Sequence, residues 1–196
     1  MIACSHAARR RIRKGLAVPR TQQASVDIPP RRRTDQYLMG DQPPYRLNVI
    51  GADVADVVQS VGGWLYDQIA AGWHVNVSLA QPGDERALTI LGVGDVTTGV
   101  SLSNEPTSLA VSSRVLSHDD ALLGEFLATL ADGSGNVTVW DSTRLAEIDG
   151  RLSRVERRMS PAAQVFKAHA VWAVTGSMAV VEDVERWGSA PARSMW

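Results

Sequence analysis

Twice along the chain an apolar, strand-like run leads through a helical stretch into a second strand-like run. "LNVIG" (residues 47–51) leads to "HVNVSLA" (residues 74–80), and "SLAVSS" (residues 108–113) leads to "NVTVW" (residues 136–140). A short helix between two strands favours a right-handed crossover that returns the second strand parallel to the first. A chain that does this twice is held to a small set of architectures, in which helices cover the sheet in layers. The expectation is an α/β layered domain with a mixed, partly parallel sheet, plus C-terminal helices and a disordered N-terminal arm. The two units are only loosely alike and are not a sequence repeat.

The first helical stretch, "DVADVVQSVGGWLYDQIAAG", is well specified. Asp53 is placed to cap it, because a carboxylate accepts hydrogen bonds from free amides at a helix start. Asp53 and Asp56 both suit the positive N-terminal end. Val54, Val57, Val58, Val61, Trp64, Leu65 and Ile69 recur at helical spacing and form one apolar face. Gly62 and Gly63 inside this helix each cost roughly 0.5–1 kcal/mol relative to Ala, so they are read as a place where another group packs against the backbone. "WHVNVSLA" then alternates as a half-buried strand does. "QPGDER" is a turn, and "ALTILGV" (residues 87–93) is expected to be a strand forming a hairpin with the one before it. Ser117 is expected to cap a second helix carrying Leu122, Leu123, Phe126, Leu127 and Leu130, stopped by Gly133 and Gly135.

The C-terminal part is expected to be helical over residues 143–187. A third helix, "TRLAEIDGRLSRVERRMS", would be capped by Asp141 or Ser142. Leu145, Ile148, Leu152, Val155 and Met159 are spaced 3, 4, 3 and 4 residues apart, the a/d seam of paired helices. They are the candidate interface residues for self-association. Ser160–Pro161 starts a fourth helix, with proline at the tolerated first position. This helix is apolar on most sides, as suits a helix buried in the core or a subunit contact, and His169 is expected partly buried within it. "SMAVVEDVERWGS" is expected to add a strand or a short helix.

Charge divides the chain. The formal net charge is −1, yet residues 1–46 carry +7 and residues 47–196 carry −8. Residues 1–43 hold two arginine clusters and little apolar periodicity, so they cannot bury enough surface to offset the entropy of ordering. They are expected to form a disordered basic arm ahead of a single α/β domain at 44–196. Residues 9–33 could make a weak nucleic-acid contact through phosphate charge, or the arm could lie on the acidic body. Alternatively, translation begins at Met39 and the arm is a mis-assigned start. The charged beginning lacks the apolar stretch of a secretory signal. Hydrophobic residues make up 44% and charged residues 21%, as in a soluble globular domain. The single cysteine, Cys4, excludes an intrachain disulfide framework. A cytoplasmic protein with no membrane partner is expected. The many Arg, Ala, Val and Gly residues are associated with GC-rich bacterial genomes.

Motifs exclude more than they assign. "GVGDVTTG" is the nearest approach to a phosphate-cradling loop, making Gly92, Gly94 and Gly99 weak cofactor candidates. Thr97 stands where the third glycine of the dinucleotide fingerprint belongs, and no helix pattern opens after it. A Walker A lysine loop and a G-x-S-x-G elbow are absent from the sequence, and His6, His74, His118 and His169 are scattered. In open α/β sheets ligands bind beyond the carboxyl ends of the strands. That rule brings Gly51, Asp53, Asp141 and Ser142 to one rim, where Asp53 and Asp141 are weak catalytic candidates able to hold Mg²⁺ or share a proton. The reading that follows is a non-enzymatic interaction or regulatory protein, self-associating through its C-terminal helices and needing no cofactor. One alternative is a small metal- or nucleotide-dependent enzyme using the rim carboxylates. The other is a nucleic-acid binder acting through the arm.

Overall fold

The computed structural model describes residues 45–102, 108–133, 135–141, 148, 150–177 and 180–192. All of them belong to the compact unit Asp41–Trp196. The basic arm expected at residues 1–43, with its nucleic-acid stretch at 9–33, lies outside them, as do Ser142 and Leu145.

β1 (Arg46–Gly51) runs into α1 (Val54–Ala70) through a tight connection. Gly51 permits it: a Cβ there would stand 2.2 Å from the Val57 side chain of α1. Asp53 caps α1 as expected, accepting from the Asp56 amide at 2.8 Å. β2 (His74–Leu79) follows, with alternating burial along its length. α2 (Arg86–Ile90), β3 (Asp95–Thr98), β4 (Ser108–Ser112) and the short α3 (Ser113–Leu116) come next. α4 (Asp120–Asp132) ends on Gly133 in the left-handed region, φ 68°. Its cap is Asp119, not Ser117 as the sequence suggested, and the Asp119 carboxylate accepts from the Leu122 amide at 2.9 Å. β5 (Val137–Trp140), β6 (Ser153–Arg158), α5 (Pro161–Thr175) and β7 (Val184–Ala190) complete the described elements. α5 begins as expected, with Ser160 as cap and Pro161 in the first turn.

Among the described residues the strands form one seven-stranded sheet in the order β3-β2-β1-β4-β5-β7-β6. The first five run parallel; β7 is antiparallel to β5, and β6 is antiparallel to β7. The layered α/β architecture with a mixed sheet is therefore as the sequence indicated. Side chains alternate across a strand, and the core divides accordingly. Leu47 and Val49 of β1, Ala110 of β4 and Trp140 of β5 join α1, α2 and α5 residues on one face. Ile50, Val111, Val137 and Val139 join α3 and α4 residues on the other.

Two expectations fail, each for a local reason. "ALTILGV" is not a hairpin strand: Ala87, Leu88 and Leu91 are buried at helical spacing, and β3 lies beyond them, parallel to β2. An apolar run this short fits either period. The third helix fails more fully. Gly150 has φ 81°, outside helical space, and Ser153–Arg158 is a strand. The 3–4 spacing there does not make one face. Ile148 and Leu152 pack on the α4 side of the sheet, Val155 packs on the α1 side, and Met159 is buried against Gly63. The exposed charges of β6 suit an edge strand, since charge resists pairing with another chain. Glu156 pairs across to Arg186 at 2.9 Å.

α5 inverts expectation as well. Its lysine, Lys167, is buried, while Val165, Phe166 and Trp172 are exposed, and so is His169. Lys167 pairs with Glu185 of β7, whose two carboxylate oxygens also accept from the Gly63 and Trp64 amides at 2.9 and 2.7 Å. Among the described residues no helix is long and apolar enough to cross a membrane.

Candidate functional site

The parallel part of the sheet has the strand order 3-2-1-4-5, which reverses direction between β1 and β4. Chains leaving these two strands diverge to opposite faces, and the carboxyl ends at such a point are the usual place for a ligand in this architecture. β1 delivers Asp53 and Asp56 there, and β4 delivers Ser112, Ser113 and Arg114.

The two aspartates lie at the start of α1, Asp53 as its cap and Asp56 in its first turn, but in different surroundings. The Asp56 side chain is 4% exposed. Its Oδ2 accepts from the Ala52 amide at 3.0 Å and its Oδ1 from the Trp140 indole at 3.2 Å. A buried carboxylate requires such donors, because loss of its hydration is otherwise uncompensated. The Asp53 side chain is 31% exposed, with Oδ1 occupied as the helix cap. Arg114 faces both carboxylates: its Nη1 lies 3.6 Å from Asp53 Oδ2 and 3.7 Å from Asp56 Oδ1. These are ion-pair separations, longer than hydrogen bonds.

Arg114 is held from its backbone. Its amide donates to the Ser112 hydroxyl at 3.3 Å, and its carbonyl accepts from Ser117 Oγ at 3.0 Å and from His118 Nδ1 at 2.6 Å. The Ser113 hydroxyl donates to the Asp141 carbonyl at 2.7 Å, tying the ends of β4 and β5 together. Asp141 itself has φ 56°, a left-handed conformation that aspartate tolerates better than most residues.

Of the sequence candidates, Gly51, Asp53 and Asp141 do reach one rim. Asp53 and Asp141 follow strands separated by β4, roughly 10 Å apart at strand spacing. The carboxylate that meets Asp53 is Asp56, which the sequence reading assigned only to the helix dipole. Arg114 and Trp140 were missed, although each stands at a strand end that the same rim rule selects. Gly92, Gly94 and Gly99 form no phosphate loop: residues 95–98 between them are β3, with Gly92 and Gly94 at its start and Gly99 at its end. His74 pairs with Asp95 at 3.1 Å near the amino ends of β2 and β3. Ile148, Leu152, Val155 and Met159 share no helix face, and Leu145 is outside the described residues.

The donors at the rim do not fit a divalent cation. Among the described residues no three His, Cys, Asp or Glu side chains converge. Zinc takes three or four protein ligands, and magnesium takes an octahedron of oxygens. Here both oxygens of Asp56 and one of Asp53 already accept hydrogen bonds, and a guanidinium stands beside the remainder.

No family model matches the chain, and no curated protein matches it in sequence. In fold it is similar to a deacetylase–teicoplanin complex from the teicoplanin biosynthesis pathway, with TM-score 0.51. It is also similar to a triple mutant of a deacetylase involved in that pathway, with TM-score 0.50. Each is 14% identical, and the match covers 74% of this chain and 98% of the other. At that identity the fold is what is shared. The finding corrects the non-enzymatic reading, since the architecture is one that deacetylase enzymes use, and the described residues of the expected seam, Ile148, Leu152, Val155 and Met159, form no helix. Of the alternatives weighed beside it, an enzyme acting at the rim is the better supported, without the metal dependence first attached to it.

Proposed function

We propose that the chain is a small hydrolase of the deacetylase kind, binding an acyl group at the rim between β1 and β4. Asp53 and Arg114 act on the substrate, and Asp56 positions them. The observation that carries this reading is the convergence of two carboxylates at the start of α1 on one arginine at the point where strand order reverses. Asp53 and Arg114 are accessible there, and Asp56 is fixed and buried. That both structural neighbours are deacetylases supports the reaction class.

Asp53 Oδ2 takes a proton from a water molecule, whose oxygen adds to the acyl carbon. The carbonyl oxygen becomes negative and is stabilised by the Arg114 guanidinium, a fixed cation that is always protonated. The C–N or C–O bond then breaks. The leaving amine or alcohol takes the proton from Asp53, and the carboxylic acid product departs, losing the water's second proton to solvent to become acetate. Asp56 keeps the α1 start and Arg114 in register through its bonds to Ala52 and Trp140.

Acetate release from an N-acetylated amino sugar and from 4-nitrophenyl acetate tests the proposal. Wild type should release acetate from at least one of them. Asp53→Asn should lower kcat on the order of a hundredfold, the lower end of the usual effect of a general base. Asp84→Asn, on an exposed turn, should match wild type. Unchanged turnover in Asp53→Asn, or no release by folded wild type, would sink the proposal.

A further inference from the structure

We infer that Arg114 is a built-in counter-ion that takes the place of a divalent cation between Asp53 and Asp56, so that the rim carboxylates bind no metal. This does not depend on which substrate the rim accepts. Two carboxylates within one helical turn, one of them buried, repel each other unless a positive charge stands between them. Here one guanidinium nitrogen faces both, at 3.6 and 3.7 Å.

The remaining valences are closed in the same manner. Asp56 Oδ1 takes the Trp140 indole N–H, Asp56 Oδ2 takes the Ala52 amide and Asp53 Oδ1 takes the Asp56 amide. A cation would need bonds of about 2.0–2.2 Å to these oxygens and would have to displace both the donors and the arginine. The Arg114 backbone is anchored, while its side chain is 42% exposed. Its amide and carbonyl are held by Ser112, Ser117 and His118, and Ser112 is fully buried. Because a guanidinium stays protonated at all ordinary pH, the compensation does not titrate away.

Divalent-cation titration of the EDTA-treated full chain decides the matter, using Zn²⁺, Mn²⁺ and Mg²⁺ separately, read by calorimetry and by Tm. The expected result is no saturable binding, or binding that Asp53→Asn and Asp56→Asn leave unchanged. Saturable binding abolished by both substitutions overturns the inference. In a second arm, Arg114→Ala should lower Tm by about 5 °C, and adding Asp56→Asn should recover most of that loss, since the buried charge then needs no partner. An Arg114→Ala variant as stable as wild type also overturns it. Should Arg114→Ala fail to fold, the wild-type titration stands alone as the test.

Discussion

At Gly63 a side chain would meet sulfur. A Cβ built there stands 1.8 Å from Met159 Sδ and 2.7 Å from its Cγ. The glycine doublet in α1 was legible in the sequence as a place of close approach, but the partners of Gly63 were not: they come from beyond β6 and from β7, far along the chain. Gly63→Ala sets a gain in helix propensity of at most about 1 kcal/mol against overpacking of about 1–3 kcal/mol. The expected outcome is net destabilisation by urea unfolding. In a Met159→Ala background the same substitution should be neutral or stabilising. Destabilisation of equal size in both backgrounds would show that Met159 is not the obstacle. The rim residues teach a related lesson. Asp53 was found because capping is local. Arg114 and Trp140 were not, because their role depends on β4 and β5 lying beside β1, which no local pattern states.

Elements were legible where one period dominated and misread where two periods competed. α1, α4 and α5 have long apolar patterns and strong caps, and all three formed. α2 has too few residues to separate helix from strand. β6 hid behind a coincidental 3–4 spacing whose members serve different layers. The tie that orders this side of the molecule is the buried pair Lys167–Glu185, joining α5, β7 and the backbone of α1. Breaking such a pair leaves an uncompensated buried charge and costs about 3–5 kcal/mol, whereas replacing both partners with apolar residues is often neutral. Glu185→Gln should therefore lose several kcal/mol in urea unfolding. Lys167→Met with Glu185→Leu should lose less than the single change, although the Gly63 and Trp64 amides also lose their acceptor. A double variant destabilised as much as Glu185→Gln, or more, would contradict this account of the tie. A groove of about 490 Å³ lies over this pair, lined by Gln59, Ser60, Val171 and Thr175 among others.

For the molecule as a whole, the parallel crossovers read from the sequence were enough to place the rim, and the fold that resulted is shared with deacetylases at 14% identity. What the sequence could not supply was the strand order, which puts β4 beside β1 and so brings Arg114 to the two carboxylates. The central claim is therefore one of location. Backbone amide chemical shifts of the labelled full chain, followed during titration with an N-acetylated amino sugar, test it most directly. The account predicts saturable shifts clustered at residues 51–56, 112–114 and 140–141. Shifts clustered instead in the groove at residues 59–60, 167–175 and 182–186, with the rim unmoved, would contradict it.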